Sequence, residues 1–540
     1  MDQALSTGRH VAEILALYRG SVLCLAVLGL FFLLPPRQRA YLEALPRLPI
    51  VGALVTLSML LIGTAVLYLA FPGYFDHLEP TTATLGQVFA RGSTLYPYPD
   101  FYPYYGVLYG PGLAISQSMF SGLGLPVLVA SKLPGVLALL CSIPIMWRLS
   151  GHVLARGYFL LLIPFGYFLF WVKAEPFLVL LVCLALLIAD RRKSGYLLAI
   201  AIGLLAGVAS ALKIHGAIYV GAAYLAATIL VPAAVSELLV IVAAAIFGFM
   251  CFFASESVSL SSFLDYLRLA GRHGLSAKLW LQNFVYLVLM LAPLALVVRR
   301  GPQRALFNLK LAGIAACELL VTVVAAKQGA GTYHLIPLIP VNACLLQQAC
   351  TLGEVREDFR VRLMYTVITI PALASIFFML ATMGMYWGQL RAAGQELQQL
   401  QAGNPSGLTM GVSNDDDYGL SYLRVMLPAE QVDYGAYMDL ELSGIAPDAL
   451  EEKMRSCAIG MWVVPGKSLP FSLNSYYTHR PLFPDRLRQQ FNTSYEKIEE
   501  GRYFAVYACR PGAARISLPV ARRAGDGTTA PSLRSWSASE

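Results

Sequence analysis

The sequence predicts a polytopic α-helical membrane protein that ends in a small α/β domain. Three observations carry this prediction. Of 540 residues, 57% are hydrophobic and 13% charged, about half the charged share of an ordinary soluble domain. The apolar residues gather into runs of about twenty, the length a helix needs to cross a hydrocarbon core. From Trp387 onward those runs give way to shorter, alternating segments. A soluble enzyme of this length is thereby excluded. The net charge of +8 has no basic, aromatic-interleaved domain to carry it, so nucleic acid is not the expected partner. Lys and Arg sit instead in short hydrophilic breaks, as the positive-inside bias predicts.

Taken in order, segment 11–35 is interrupted by Glu13 and Arg19 and is read as a span rather than an interfacial helix. Pro35, Pro36, Arg37 and Arg39 follow it where a signal peptide would have a small-residue cleavage site. The break PPRQRAYLEALPR belongs on the cytoplasmic side. The run 48–71 then leads to the outer side and brings Asp76 there. A long outer loop, 72–126, follows and is dense in Tyr and Pro. Within it, 106–121 holds Gly106, Gly110, Pro111 and Gly112, which a lipid-exposed helix accommodates poorly. Were it to cross, the basic breaks 191–195, 299–304 and 353–362 would fall on different sides. It is therefore read as juxtamembrane or re-entrant.

Further spans are expected at 127–148, 158–171, 176–190, 195–213, 214–231, 235–254, 279–298, 305–326, 333–350 and 361–386, giving about 11–12 transmembrane helices. No internal repeat is visible. The chain thus divides into 1–47, a transmembrane domain 48–386, an extracytoplasmic α/β domain 387–512 and a tail 513–540. In the α/β domain, WGQLRAAGQELQQLQ reads as a helix leaving the membrane. Runs at 408–412, 458–465 and 503–511 read as strands, and 447–457 as a helix opened by Pro447. The tail is rich in Ser, Gly, Ala and Arg and is expected to be disordered. Seven of nine Cys lie in or beside apolar runs, as small core residues. Cys457 and Cys509 lie in the exported region, where a structural disulfide is expected. No CxxC motif or His/Cys cluster points to a metal.

Ionisable groups at membrane depth are costly and so are candidates for function. Asp76 and Glu79 follow the run 48–71 directly. They are either caps of a helix over 80–90 or a general base and its partner. Four polar joints share the outer face with them: 172–176, 213–216, 255–278 and 327–334. These carry Lys173, Lys213, Arg268, Arg272, His273, Lys327 and His334. Each lysine is either an interfacial anchor or a cation that neutralises a departing phosphate. His215 and His334 taken alone read as helix-end or packing residues. The aromatic loop with Tyr96, Tyr98, Phe101, Tyr102, Tyr104, Tyr105 and Tyr109 either stacks on sugar rings or forms the interfacial belt.

A span, an acidic pair, LGQVFARGSTLYP and YGPGLAISQSMFSGLGLPVLVASKLPGVLALL together resemble polyprenyl-phosphate-dependent glycosyltransferases of the GT-C superfamily. The bacterial relatives of the aminoarabinose transferase and the protein O-mannosyltransferases are the most similar. WVKAEPFLVLLVCLALL, GLLAGVASALKIHG and KQGAGTYHLIPLIP add to the resemblance, which spans about residues 48–386. It implies that Asp76 is the catalytic base with Glu79 as partner, and that Glu175 is the acidic residue of the second outer loop. It implies Lys213 and Lys327 as ligands of the donor phosphate; Lys173, His334, Arg272, Tyr105 and Tyr109 are read toward substrate from their place on the outer face and in the aromatic loop. Many relatives have adjacent Asp-Glu where this chain has Asp-His-Leu-Glu, which leaves open which carboxylate acts.

The activity implied is an inverting transfer of a sugar from a polyprenyl-phosphate donor to a hydroxyl of a lipid, glycan or protein acceptor. No cofactor is implied, and whether a divalent metal takes part stays open. The expected location is the bacterial inner membrane, with the active site and C-terminal domain extracytoplasmic. Two other readings compete. A polar-lipid transporter or flippase predicts internal repeats and midplane charges. A polysaccharide polymerase or ligase predicts a large, arginine-rich outer loop late in the chain, where 255–278 is modest.

Overall fold

Apolar sequence and helix length go together in the computed structural model. It describes residues 2–511 apart from 16, 34, 36–49, 97–108, 165–169, 192–194, 229–234, 298–303, 353–358, 406, 415–418, 428–430, 447 and 467. The basic breaks, the segment holding Tyr105 and the tail 513–540 therefore lie wholly or largely outside the described residues.

The N-terminal region forms two helices, α1 (Asp2–Leu15) and α2 (Leu17–Leu33), rather than one span beginning near residue 11. α1 is amphipathic and lies along the last long helix, while α2 is apolar throughout most of its length. α3 (Ile50–Ala70) follows, then α4 (Leu78–Ala90) and α5 (Pro111–Ser121). With 11 residues, α5 is about 16 Å long and too short to cross a bilayer. It packs against α4.

Next come α6 (Val127–Leu149), α7 (Val153–Leu162), α8 (Glu175–Arg191), α9 (Tyr196–Leu212), α10 (Gly216–Ala227) and α11 (Val235–Met250). α7 stops two residues before Pro164, short of the expected 171; the proline has no N–H with which to continue the helix hydrogen bonding. α9 and α11 cross closely: Gly203 and Gly207 face the backbone of Ile241 and Ala245, where a Cβ has no room. Such small-residue seams let apolar helices associate without a hydrophobic driving force.

α12 (Leu260–Gly271), α13 (Ala277–Val297), α14 (Arg304–Val324), α15 (Ile339–Leu352) and α16 (Phe359–Gly403) complete the bundle. A 3₁₀ turn, Thr332–Leu338, precedes α15 where a continuous span was expected from 333; Pro337 lies within that turn. Among the described residues, four helical stretches are long and apolar enough to cross a membrane: Val127–Leu149, Val235–Phe253, Ala277–Ala295 and Leu363–Gly403. Shorter apolar helices accompany them, and the chain is a multi-pass membrane protein.

α16 runs unbroken for 45 residues from the apolar bundle into the C-terminal region. There a four-stranded sheet has the order β1 (Thr409–Met410), β2 (Met461–Pro465), β4 (Phe504–Cys509), β3 (Tyr495–Glu500). β1 pairs parallel to β2 and the other pairings are antiparallel. α17 (Tyr434–Leu442), α18 (Asp448–Arg455) and α19 (Asp485–Ser494) accompany the sheet. Trp462 is fully buried at its centre among Phe471, Phe491 and Tyr495. The expected disulfide joins Cys457 to Cys509 across a Cα–Cα distance of 5.9 Å. Glu396 of α16 accepts hydrogen bonds from the N–H groups of Tyr503 and Phe504, both at 3.0 Å, and so ties the helix to the sheet.

A buried polar knot fixes this domain on the bundle. Asp433 caps α17 through the N–H groups of Gly435 (3.0 Å) and Ala436 (3.2 Å). Its carboxylate also accepts from Thr81 of α4 at 2.6 Å and from Arg424 at 3.2 Å.

Candidate active site

The loop between α3 and α4 is shaped by a carboxylate that is itself out of reach. Glu79 is completely buried in the first turn of α4. One oxygen accepts from the N–H of Phe75 (2.7 Å) and of Asp76 (3.2 Å). The other accepts from the N–H of Val172 (3.2 Å) and from the Tyr68 hydroxyl. Burial pushes the Glu79 carboxyl above its usual range, although the hydrogen bonds work the other way. Lys132 is the nearby cation, donating to the carbonyls of Phe71 (2.5 Å) and Tyr68 (3.2 Å). Glu79 therefore reaches back to orphan N–H groups before its helix, as a capping residue does. It lines neither cavity described below.

Asp76 is the carboxylate that this loop presents. Its side chain is 16% exposed and pairs with Lys173 on one oxygen and with His77 Nδ1 at 2.6 Å on the other. Burial alone would raise the carboxyl, but the Lys173 ammonium and His77 outweigh it and hold Asp76 well below the usual carboxylate range. Lys173 is almost completely buried, its ammonium over the rings of Trp171 (5.1 Å) and Tyr333 (5.0 Å).

A second buried ion pair stands beside the first. Glu175, the first residue of α8, pairs with Lys213 at the end of α9. The Lys213 ammonium lies over Tyr109 and Tyr333, each at 5.1 Å. Tyr109 is buried and its carbonyl accepts from Tyr96 at 2.8 Å.

Two cavities flank Tyr333. The first, about 330 Å³, is lined by Asp76, His77, Lys173, Trp171, Arg9 and Thr382 among others. The second, about 170 Å³, is lined by Lys213, Lys327, His215, His334, Tyr109, Asp439 and Tyr477 among others. Leu78, Gly329 and Tyr333 belong to both walls. Gly329 has φ +83°, and the Tyr477 hydroxyl sits 3.0 Å from where its Cβ would be. Only glycine relaxes into that backbone so close to a neighbour.

Lys327 faces Asp439; burial lowers its ammonium to about 8, aided by Lys213 and opposed by Asp439. His334 Nδ1 meets His215 Nε2 at 3.2 Å, and His215 in turn meets the Tyr219 hydroxyl at 3.1 Å.

The expected site residues thus separate into groups. Asp76, Lys173, Lys213, Lys327, His334 and Tyr109 line one cavity or the other, and Glu175 holds Lys213 from behind. Arg272 does not join them: it caps α12 and donates to the Ser443 carbonyl at 3.3 Å, gripping the C-terminal domain. Its neighbour His273 does likewise, meeting the Asp439 carbonyl at 2.9 Å. Tyr105 lies outside the described residues. Sequence reasoning missed Arg9, Tyr333, Asp439 and Tyr477. Arg9 precedes the first expected span, and Asp439 and Tyr477 sit in a domain with no recognisable motif. Tyr333 alone carried a signal, lying inside the quoted KQGAGTYH joint. Among the described residues, no group of three or more His, Cys, Asp or Glu side chains is placed to hold a metal ion.

No model of a known protein family matches the sequence, and no curated protein matches it. Solved structures do resemble the fold. The crystal structure of ArnT from Cupriavidus metallidurans bound to undecaprenyl phosphate matches with a TM-score of 0.51 at 14% identity, over 86% of this chain and 99% of that one. The apo crystal structure of the same protein gives a TM-score of 0.49 at 13% identity, over 86% and 98%. The chain shares its fold with ArnT.

Proposed function

We propose that this chain is an inverting glycosyltransferase of the GT-C type. It moves a sugar from a polyprenyl-phosphate donor to an acceptor hydroxyl at the outer face of a bacterial inner membrane. One observation carries the reading: an ionised carboxylate, Asp76, and a pair of lysines, Lys213 and Lys327, line two cavities that meet at Tyr333. ArnT, whose fold is shared, was crystallised with undecaprenyl phosphate, which supports a lipid-linked donor.

In the reaction proposed, the donor phosphate lies in the second cavity and the acceptor hydroxyl in the first. The hydroxyl oxygen attacks the anomeric carbon as the carbon–oxygen bond to phosphate breaks, and that electron pair leaves with the lipid phosphate. Lys213 and Lys327 neutralise the growing charge. Asp76 takes the hydroxyl proton. With Lys173 and His77 beside it, Asp76 is a weak base. It therefore accepts the proton late, once the oxygen carries positive charge against an oxocarbenium-like sugar. A single displacement inverts the anomeric centre. Glu79 and Glu175 act as positioning residues, the first through the loop and the second through Lys213.

The test is transfer from a radiolabelled polyprenyl-phosphate sugar by the purified full chain. Asp76→Asn is expected to lose transfer by about a hundredfold or more while remaining folded. Turnover like that of the wild type would overturn the assignment.

A further inference from the structure

Arg9 has an environment that the reaction does not use. It sits on α1 and reaches the wall of the Asp76 cavity. Among the described residues its hydrogen bonding consists of Nε to the Thr382 hydroxyl at 3.1 Å, which leaves both Nη groups available. The guanidinium lies over the rings of Phe378 (5.1 Å) and Tyr386 (5.8 Å). No carboxylate among the described residues pairs with it.

Its depth makes this consequential. Thr382 lies on α16 five residues before Trp387, where the apolar stretch ends, so Arg9 is within about 8 Å of that level. α1 packs closely on α16 at Gly8, where a Cβ would sit 3.1 Å from the Phe377 ring. On the same stretch of α16, Phe377 is 44% and Leu373 43% exposed, a surface that suits acyl chains. A cation at the edge of the apolar layer is expensive unless something answers its charge. A guanidinium whose two Nη groups remain open presents a fork that matches phosphate oxygens.

We propose that Arg9, with Thr382 and the ring walls of Phe378 and Tyr386, forms a lateral site for the phosphate of an anionic lipid headgroup at the mouth of the Asp76 cavity. It is separate from the lysines assigned to the donor phosphate and does not depend on that assignment. The adjacent exposed apolar residues favour a lipid over free phosphate.

Native mass spectrometry of the full chain in maltoside detergent tests this, with dioleoylphosphatidylglycerol, dioleoylphosphatidylcholine and inorganic phosphate as probes. The wild type is expected to retain phosphatidylglycerol over phosphatidylcholine by about tenfold, the scale of one charge-assisted fork. Arg9→Gln should bring that ratio near parity. Arg9→Lys should fall between, and Arg391→Gln, at an exposed position further along α16, should keep the ratio. Should Arg9→Gln not fold, Arg9→Lys and Thr382→Val carry the comparison. Equal ratios in wild type and the Arg9 variants overturn the site, as does a wild type without preference. Phosphate binding that needs Arg9 while phosphatidylglycerol is no better than phosphatidylcholine overturns the lipid assignment.

Discussion

Lys173 and Lys213 share one aromatic ring, their ammonium groups 5.0 and 5.1 Å from the centroid of Tyr333. Each lysine also has its own carboxylate, Asp76 for one and Glu175 for the other. The ring thus belongs to the walls of both cavities and is a shared cation–π surface.

Removing that ring should be costly for transfer. Tyr333→Ala is expected to lower kcat/KM by about tenfold or more, because two cation–π contacts disappear. Tyr333→Phe keeps the ring and should stay within about threefold of wild type. Steady-state kinetics on the two variants separates them. Equal losses would place the effect in the hydroxyl instead.

Glu79 should matter for stability before it matters for chemistry. Glu79→Ala leaves the N–H groups of Phe75 and Val172 and the Tyr68 hydroxyl without their acceptor. A loss of at least about 2 kcal/mol follows from unsatisfied buried groups alone. Thermal unfolding in detergent reads this as a lower Tm, with the Asp76→Asn protein as comparison. An unchanged Tm would refute the anchoring role.

Lys327 should set an alkaline limit on donor affinity. Burial lowers its ammonium to about 8, so the cation is present below that pH and is lost as pH rises through it. Donor KM should rise with a midpoint near pH 8 in the wild type. Lys327→Arg, whose guanidinium stays charged, should move that limb to higher pH. Stability has the opposite sense. Between about 8 and the ordinary lysine range the unfolded chain binds more protons, so this group's contribution rises with pH. Asp76 adds no acid limb within the usual carboxylate range, since its partners hold it charged well below that.

The disulfide closes a sequence separation of 52 residues that includes β2, α19 and β3. Cys457→Ser should destabilise the C-terminal domain by about 2–4 kcal/mol. Circular dichroism on thermal unfolding, with and without reductant, gives the comparison. A reductant-insensitive wild type would contradict it.

Much of this arrangement was legible because apolar runs and polar joints are strong one-dimensional signals. The helices α6, α8, α9 and α13 lie close to their expected limits. Asp76, Lys173, Lys213 and Lys327 stand out in the sequence because each breaks or follows such a run, and each lines a cavity. What escaped has physical reasons. β3 reads YEKIEE and is exposed along nearly its whole length, so no apolar alternation marks it. Glu79 and Asp76 look equivalent in sequence, and only the folding of the loop decides that one is enclosed and the other open. Arg9 and Asp439 reach the cavities from opposite ends of the chain, through contacts that no local pattern encodes. Arg272 was misplaced because a cation near a membrane surface resembles any other until its partner, the Ser443 carbonyl, is known.

α16 ties the apolar bundle to the C-terminal domain through one continuous helix. At 45 residues it is about 68 Å long, and a tilt of about 5° at its lipid end swings the far end by roughly 6 Å. Glu396 clamps that far end to the sheet whose domain roofs the second cavity with Asp439 and Tyr477. That swing is what the knot of Asp433, Thr81 and Arg424 restrains: two separate fastenings, rather than one, keep the roof in register over the lysines.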